Sequence, residues 1–95
     1  MAHKIGLDGD SLLWVGEKHL LRIDAPRRAR GEYPDQGSSV EVYTNPDPLA
    51  YIELETLSPL HPMKAGQTIS EESSYTLMHR TRPTPEAEAR AIYQR

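Results

Sequence analysis

The amino-acid sequence predicts a mainly β fold, an antiparallel β-sandwich followed by a short C-terminal helix, on three observations. Apolar and polar residues alternate in Val40-Glu41-Val42-Tyr43 and in Ile52-Glu53-Leu54-Glu55, the period of half-buried strands rather than of a helix. Eight prolines and six glycines cut the 95 residues into short pieces, which suits strands and turns. A helix-start signature follows Pro83: Thr84 is a good N-cap and Pro85 suits the first helical position.

Each element has its own local reason. Gly6-Leu7-Asp8-Gly9 reads as a turn. Leu12 to Val15 and His19 to Ile23 flank Gly16-Glu17-Lys18 and read as a hairpin. Pro26 to Gly37 has no periodicity and reads as a surface loop, and Gly37-Ser38-Ser39 as a turn. Ser39 to Thr44 forms a strand with Val40 and Val42 on one face and Glu41 and Tyr43 on the other. Asn45-Pro46-Asp47-Pro48 forces a turn, and Tyr51 to Leu57 alternates again, placing Glu53 and Glu55 on one face. Pro59, Pro62 and Gly66 mark a connection to a third strand from Ser73 to His79. The terminal helix runs to about Tyr93, with Glu86 and Glu88 at the positive end of its dipole. Its apolar side is only Ala87, Ala91 and Ile92, so weak docking is expected. The chain therefore divides into a β domain over residues 1–83 and a terminal helix or tail over residues 84–95.

Composition narrows the partners. Leu, Ile and Val make up only 18 residues and there is no Phe, so a monomer has a thin core and gains from a partner. A homo-oligomer is the expected state. A net charge of -3 and a pI near 5.7 leave no basic face for nucleic acid; the cluster Arg27, Arg28 and Arg30 falls in the loop. With no cysteine, disulfides and thiolate zinc sites are excluded, and a reducing compartment, the cytoplasm, is the expectation. No apolar run reaches the ~18 residues of a membrane span and no signal peptide is evident, so no membrane partner is expected.

The chemistry-bearing residues concentrate on one predicted face. Side chains at i and i+2 of a strand lie roughly 6.5–7 Å apart, so Glu53 and Glu55 can form a carboxylate pair in which repulsion raises one pKa. If the two central strands pair, Glu41 and Tyr43 project from that same face. A solvated sheet face carries carboxylates as a matter of course; three acids within two adjacent strands nevertheless run against strand composition. His61, in a loop near the acidic strand, is the candidate acid partner. His3, His19, His61 and His79 have no metal-ligand spacing, so no metal site is expected. Tyr43, Tyr51, Tyr75 and Trp14 can offer a sugar ring an apolar platform with a polar edge.

The string Tyr33-Pro34-Asp35-Gln36-Gly37-Ser38-Ser39-Val40-Glu41-Val42-Tyr43-Thr44-Asn45, followed by Tyr51-Ile52-Glu53-Leu54-Glu55-Thr56-Leu57-Ser58-Pro59-Leu60 and the turn Lys64-Ala65-Gly66-Gln67-Thr68, resembles the C-terminal part of the galactose mutarotase-like superfamily. The likeness runs from about Lys4 to Met78 and is nearest to uncharacterised bacterial members. It implies that the β-sandwich is part of a larger supersandwich. In aldose 1-epimerases a similar strand pair carries the catalytic base, and by position that glutamate matches Glu55, whereas Glu53 has no counterpart.

The implied reaction removes the proton of the anomeric hydroxyl of a pyranose while an acid protonates the ring oxygen, and it needs no cofactor. The family's acid histidine lies in an N-terminal half that this sequence does not contain. Three readings stay open. The first is a carbohydrate-binding or vestigial domain that self-associates to cover exposed sheet edges, with Glu41, Tyr43, Glu53 and Glu55 facing a sugar. The second is a composite epimerase with Glu55 as base and His61 or His79, from either subunit, as acid. The third is an interaction module without a small-molecule site.

Overall fold

The computed structural model describes residues 1–94 and contains β1 (His3–Leu7), β2 (Ser11–Val15), β3 (His19–Asp24), α1 (Pro34–Gly37), β4 (Val40–Asn45), β5 (Tyr51–Thr56), β6 (Ser74–His79) and α2 (Pro85–Tyr93). The strands form two three-stranded sheets, β1-β4-β5 and β2-β3-β6, antiparallel throughout. The expected mainly β architecture and its terminal helix are both present.

Two local readings change. Gly6 and Leu7 belong to β1, not to a turn, because His3, Ile5 and Leu7 alternate with Lys4 and Gly6 and the strand pairs with β4, Gly6 opposite Glu41. Inside the expected loop, α1 is a left-handed turn: Asp35 and Gln36 have φ of 51° and 63°, Gly37 has φ of 87°, and the Ser38 N–H closes it on the Pro34 carbonyl at 2.9 Å.

Alternation in each sheet sorts the side chains into an inner and an outer face. Leu12 and Ile23, opposite each other in the β2–β3 pair, meet Val40 of the other sheet in the core, with Leu21, Val42 and Leu54 packed around them. Leu20 is only 2 % exposed on the opposite face of β3, the side on which α2 docks. There the Tyr93 hydroxyl hydrogen-bonds the Ser11 hydroxyl at 2.6 Å, and the Arg22 guanidinium lies 5.2 Å from the centre of the Tyr93 ring. At the start of α2, Thr84 Oγ1 accepts from the Ala87 N–H at 3.1 Å.

Elsewhere the sheets diverge. Ile5, Leu7 and Ile52 on the inner face of one sheet, and Tyr75 and Leu77 on that of the other, are all about half or more exposed. The surface area is 7288 Å², roughly 1,800 Å² more than a compact monomer of this mass exposes. The radius of gyration, 15.5 Å, likewise exceeds the about 12 Å of a compact domain of this length.

Candidate functional site

The register of the β4–β5 pair sets Glu41 opposite Glu55, Tyr43 opposite Glu53 and Asn45 opposite Tyr51. All six side chains share the outer face of their sheet, and pairing with β1 adds Lys4, opposite Tyr43, to the same face. Every carboxylate expected there is present.

Their surroundings differ sharply. Glu41, expected on a solvated face, is 2 % exposed, because α1 folds back over this end of β4. Ser38 holds that roof, its hydroxyl donating to the Asp35 carbonyl at 2.8 Å. It approaches Gly6 so closely that a Cβ there would stand 2.1 Å from Ser38 Oγ. A side chain opposite Glu41 would have to turn the Ser38 hydroxyl away from Asp35.

Two acids and one base meet beneath the roof. The neighbouring Asp35 carboxyl, together with burial, holds the pKa of Glu41 above the ordinary value of 4.5, against the opposing pull of Lys4. Lys4 Nζ stands 3.2 Å from Glu41 Oε2 and 3.9 Å from Glu55 Oε2. The hydrogen bond from Lys4 to Glu41, followed by the charges of Glu41 and Glu55, raises the ammonium above 10.5. Glu41 Oε1 and Glu55 Oε2 are buried without a hydrogen bond, a costly condition for a carboxylate.

Toward the open end the face becomes aromatic. The rings of Tyr43 and Tyr51 are 5.8 Å apart and tilted by 43°. The Tyr43 hydroxyl donates to Asn45 Oδ1 at 2.7 Å, and the Asn45 amide donates to the Leu49 carbonyl at 2.8 Å, which fixes the platform to the β4–β5 turn. Burial, then Tyr43 and the Glu53 charge, raise the Tyr51 phenol above 10, so it remains a neutral hydrogen-bond donor at neutral pH. Glu53 is exposed beside it.

The structure thus brings Glu41, Tyr43, Glu53 and Glu55 together but not the histidines. His61 is exposed in the connection between β5 and β6, and His79 lies in the other sheet, its ring 4.9 Å from that of His19. Neither is hydrogen-bonded or ion-paired to Glu55 among the described residues. Lys4 and Asp35 escaped the sequence reading. The alternation around Lys4 could have exposed it, whereas nothing local announces that α1 turns left-handed and folds Asp35 onto Glu41. Among the described residues no group of three or more His, Asp or Glu side chains is placed to hold a metal ion, and no helix is long and apolar enough to cross a membrane. No family model, curated protein or solved structure matches the chain.

Proposed function

We propose that the chain is a mutarotase-like domain that binds a sugar on the outer face of β4 and β5 and self-associates through the inner faces of its sheets. The observation that carries the sugar reading is the placement of the Glu55 carboxylate, its side chain still 29 % exposed, on the same face as the Tyr43–Tyr51 platform. Carboxylate oxygens accept from the hydroxyls of a pyranose while an aromatic face packs against its C–H groups. Glu53 adds a second acceptor at the rim.

Binding takes precedence over epimerisation on geometric grounds. The acid raised nearest to Glu55 is Glu41, whose side chain is 1 % exposed and cannot touch a ligand, and His61 is not joined to Glu55. Area supports the self-association reading: the excess of roughly 1,800 Å² over a compact monomer is about twice what one partner contributes to a standard interface, ~800 Å². A second copy seated on Ile5, Leu7 and Ile52 and on Tyr75 and Leu77 would remove that surface from water. A cytoplasmic setting is consistent with the absence of cysteine.

Titration of the 15N-labelled protein with galactose and glucose tests the sugar reading. The amides of residues 41–55 shift saturably, and Glu55→Gln and Tyr51→Ala each weaken binding about tenfold. No shifts at 100 mM of either sugar would remove it. Polarimetry on freshly dissolved α-galactose with the same variants tests the enzyme reading, for which acceleration that disappears in Glu55→Gln is the required result.

A further inference from the structure

At the far end of the other sheet, the β2–β3 hairpin carries a shallow, open pocket of about 770 Å³ lined in part by Trp14, Gly16, Lys18, His19 and Arg80. Its frame is fixed by the backbone. The Gly16 N–H donates to the His19 carbonyl at 2.9 Å and the Arg80 N–H to the Lys18 carbonyl at 2.8 Å. Arg80 Nη1 donates to the Gly16 carbonyl at 3.0 Å and Nη2 reaches the Arg82 carbonyl at 3.4 Å. A guanidinium has five N–H donors, so a held, half-buried Arg80 keeps donors to spare.

The wall is aromatic. A Cβ on Gly16 would lie 2.4 Å from the indole of Trp14, so the ring rests directly against the Gly16 backbone and is held there, yet Trp14 is still 41 % exposed. Lys18 and His19 are exposed, and His79 stands behind His19 at 4.9 Å. Glu17 is the one carboxylate in the lining. In a chain of net charge -3, cations are gathered beside an exposed indole.

We infer that this pocket binds a flat aromatic ring carrying a phosphate, the chemistry of a mononucleotide. The ring stacks on Trp14, and the phosphate sits between Lys18 and the Arg80 fork, whose planar donors match phosphate oxygens. Stacking on an aromatic side chain tolerates any base, so the site selects for the ring and the anion together rather than for a sequence. It is independent of the sugar face, which lies in the other sheet.

Trp14 is the only tryptophan, so its fluorescence, excited at 295 nm, reports the site directly. Adenosine 5′-monophosphate, adenosine and inorganic phosphate are titrated separately at low salt. The monophosphate quenches saturably and binds at least tenfold more tightly than either half alone. Lys18→Gln, which breaks no side-chain hydrogen bond or ion pair among the described residues, weakens it about fivefold or more, and Glu17→Gln tightens it. Adenosine binding as well as its monophosphate, phosphate competing equally without the ring, or a Lys18→Gln variant with unchanged affinity would each overturn the assignment. Circular dichroism of each variant confirms that the fold is intact.

Discussion

Glu41 and Glu55 face each other across the β4–β5 pair, and the single ammonium of Lys4 stands 3.2 Å from the first and 3.9 Å from the second. Like charges directly opposite in a sheet are destabilising, and one lysine cannot neutralise two carboxylates and Asp35 as well. The Asp35 carboxyl beside it and burial favour the protonated form of Glu41 more than water does, which lessens the excess.

That arrangement fixes the sign of a pH dependence. Because the folded pKa of Glu41 is raised, the folded state holds the proton more tightly than the unfolded chain. The resulting stability is complete below about pH 4.5 and is lost as pH rises through the folded pKa. Urea midpoints measured at intervals from pH 4.5 to 8 should therefore fall with pH in the natural protein. Glu41→Gln, neutral at every pH, should flatten the curve and leave the variant the more stable one at pH 8. Parallel curves for the two proteins would show that the carboxyl does not titrate in this window.

Glu88 supplies the opposite dependence. Burial alone would raise its pKa, but the N–H groups of Thr81 and Arg82, and then the charges of Arg82 and Arg80, outweigh that and hold it below 4.5. Its Oε1 accepts from Thr81 at 2.7 Å and from Arg82 at 2.5 Å, tying α2 to the segment that leaves β6. The stability it contributes is present above about pH 4.5 and is lost as pH falls through the folded value. Glu88→Gln should lower Tm by about 5 °C at neutral pH and remove the acid-side loss; an unchanged Tm would mean that the two N–H groups find other acceptors.

Strand identity was legible wherever one face is apolar and the other polar, as in β4 and β5, because a period of two needs no knowledge of the partner strand. β1 was not, since Gly6 sits where the pattern calls for a side chain, and the reason for a glycine there is Ser38, 32 positions away. The outer-face membership of Glu41, Tyr43, Glu53 and Glu55 was legible for the same reason as the strands. The burial of Glu41 was not, because it depends on a left-handed turn folding back over β4. Thr84 and Pro85 announced α2 correctly, whereas its anchor, the Glu88 carboxylate, reads in the sequence only as an N-terminal acid favoured by the dipole.

The core and the exposed inner faces should separate in mutagenesis. Ile23, 3 % exposed at the junction of the sheets, should cost about 2–5 kcal/mol as Ile23→Ala. Leu77, 69 % exposed, should change monomer stability by no more than about 0.5 kcal/mol as Leu77→Ser, while weakening self-association. Sedimentation velocity over a range of concentrations distinguishes the two effects. A natural protein that stays monomeric at 200 μM would remove the self-association proposal.

Gly6 and Ser38 offer a test of the roof over Glu41 that does not alter any charge. Gly6→Ala places a methyl 2.1 Å from Ser38 Oγ and 3.0 Å from its Cβ, a contact relieved by turning or displacing the Ser38 side chain, which releases its hydrogen bond to Asp35. The expected cost is about 1–3 kcal/mol, as for other overpacked sites. Ser38→Gly removes both clashing atoms and the hydrogen bond, at a cost of its own. If the two positions act only through this contact, the double variant should be more stable than the sum of the single effects predicts, by about 1 kcal/mol or more. The pH slope assigned to Glu41 should weaken in Gly6→Ala as Asp35 withdraws. Strict additivity, with the slope intact, would show that α1 is held over β4 by its backbone alone.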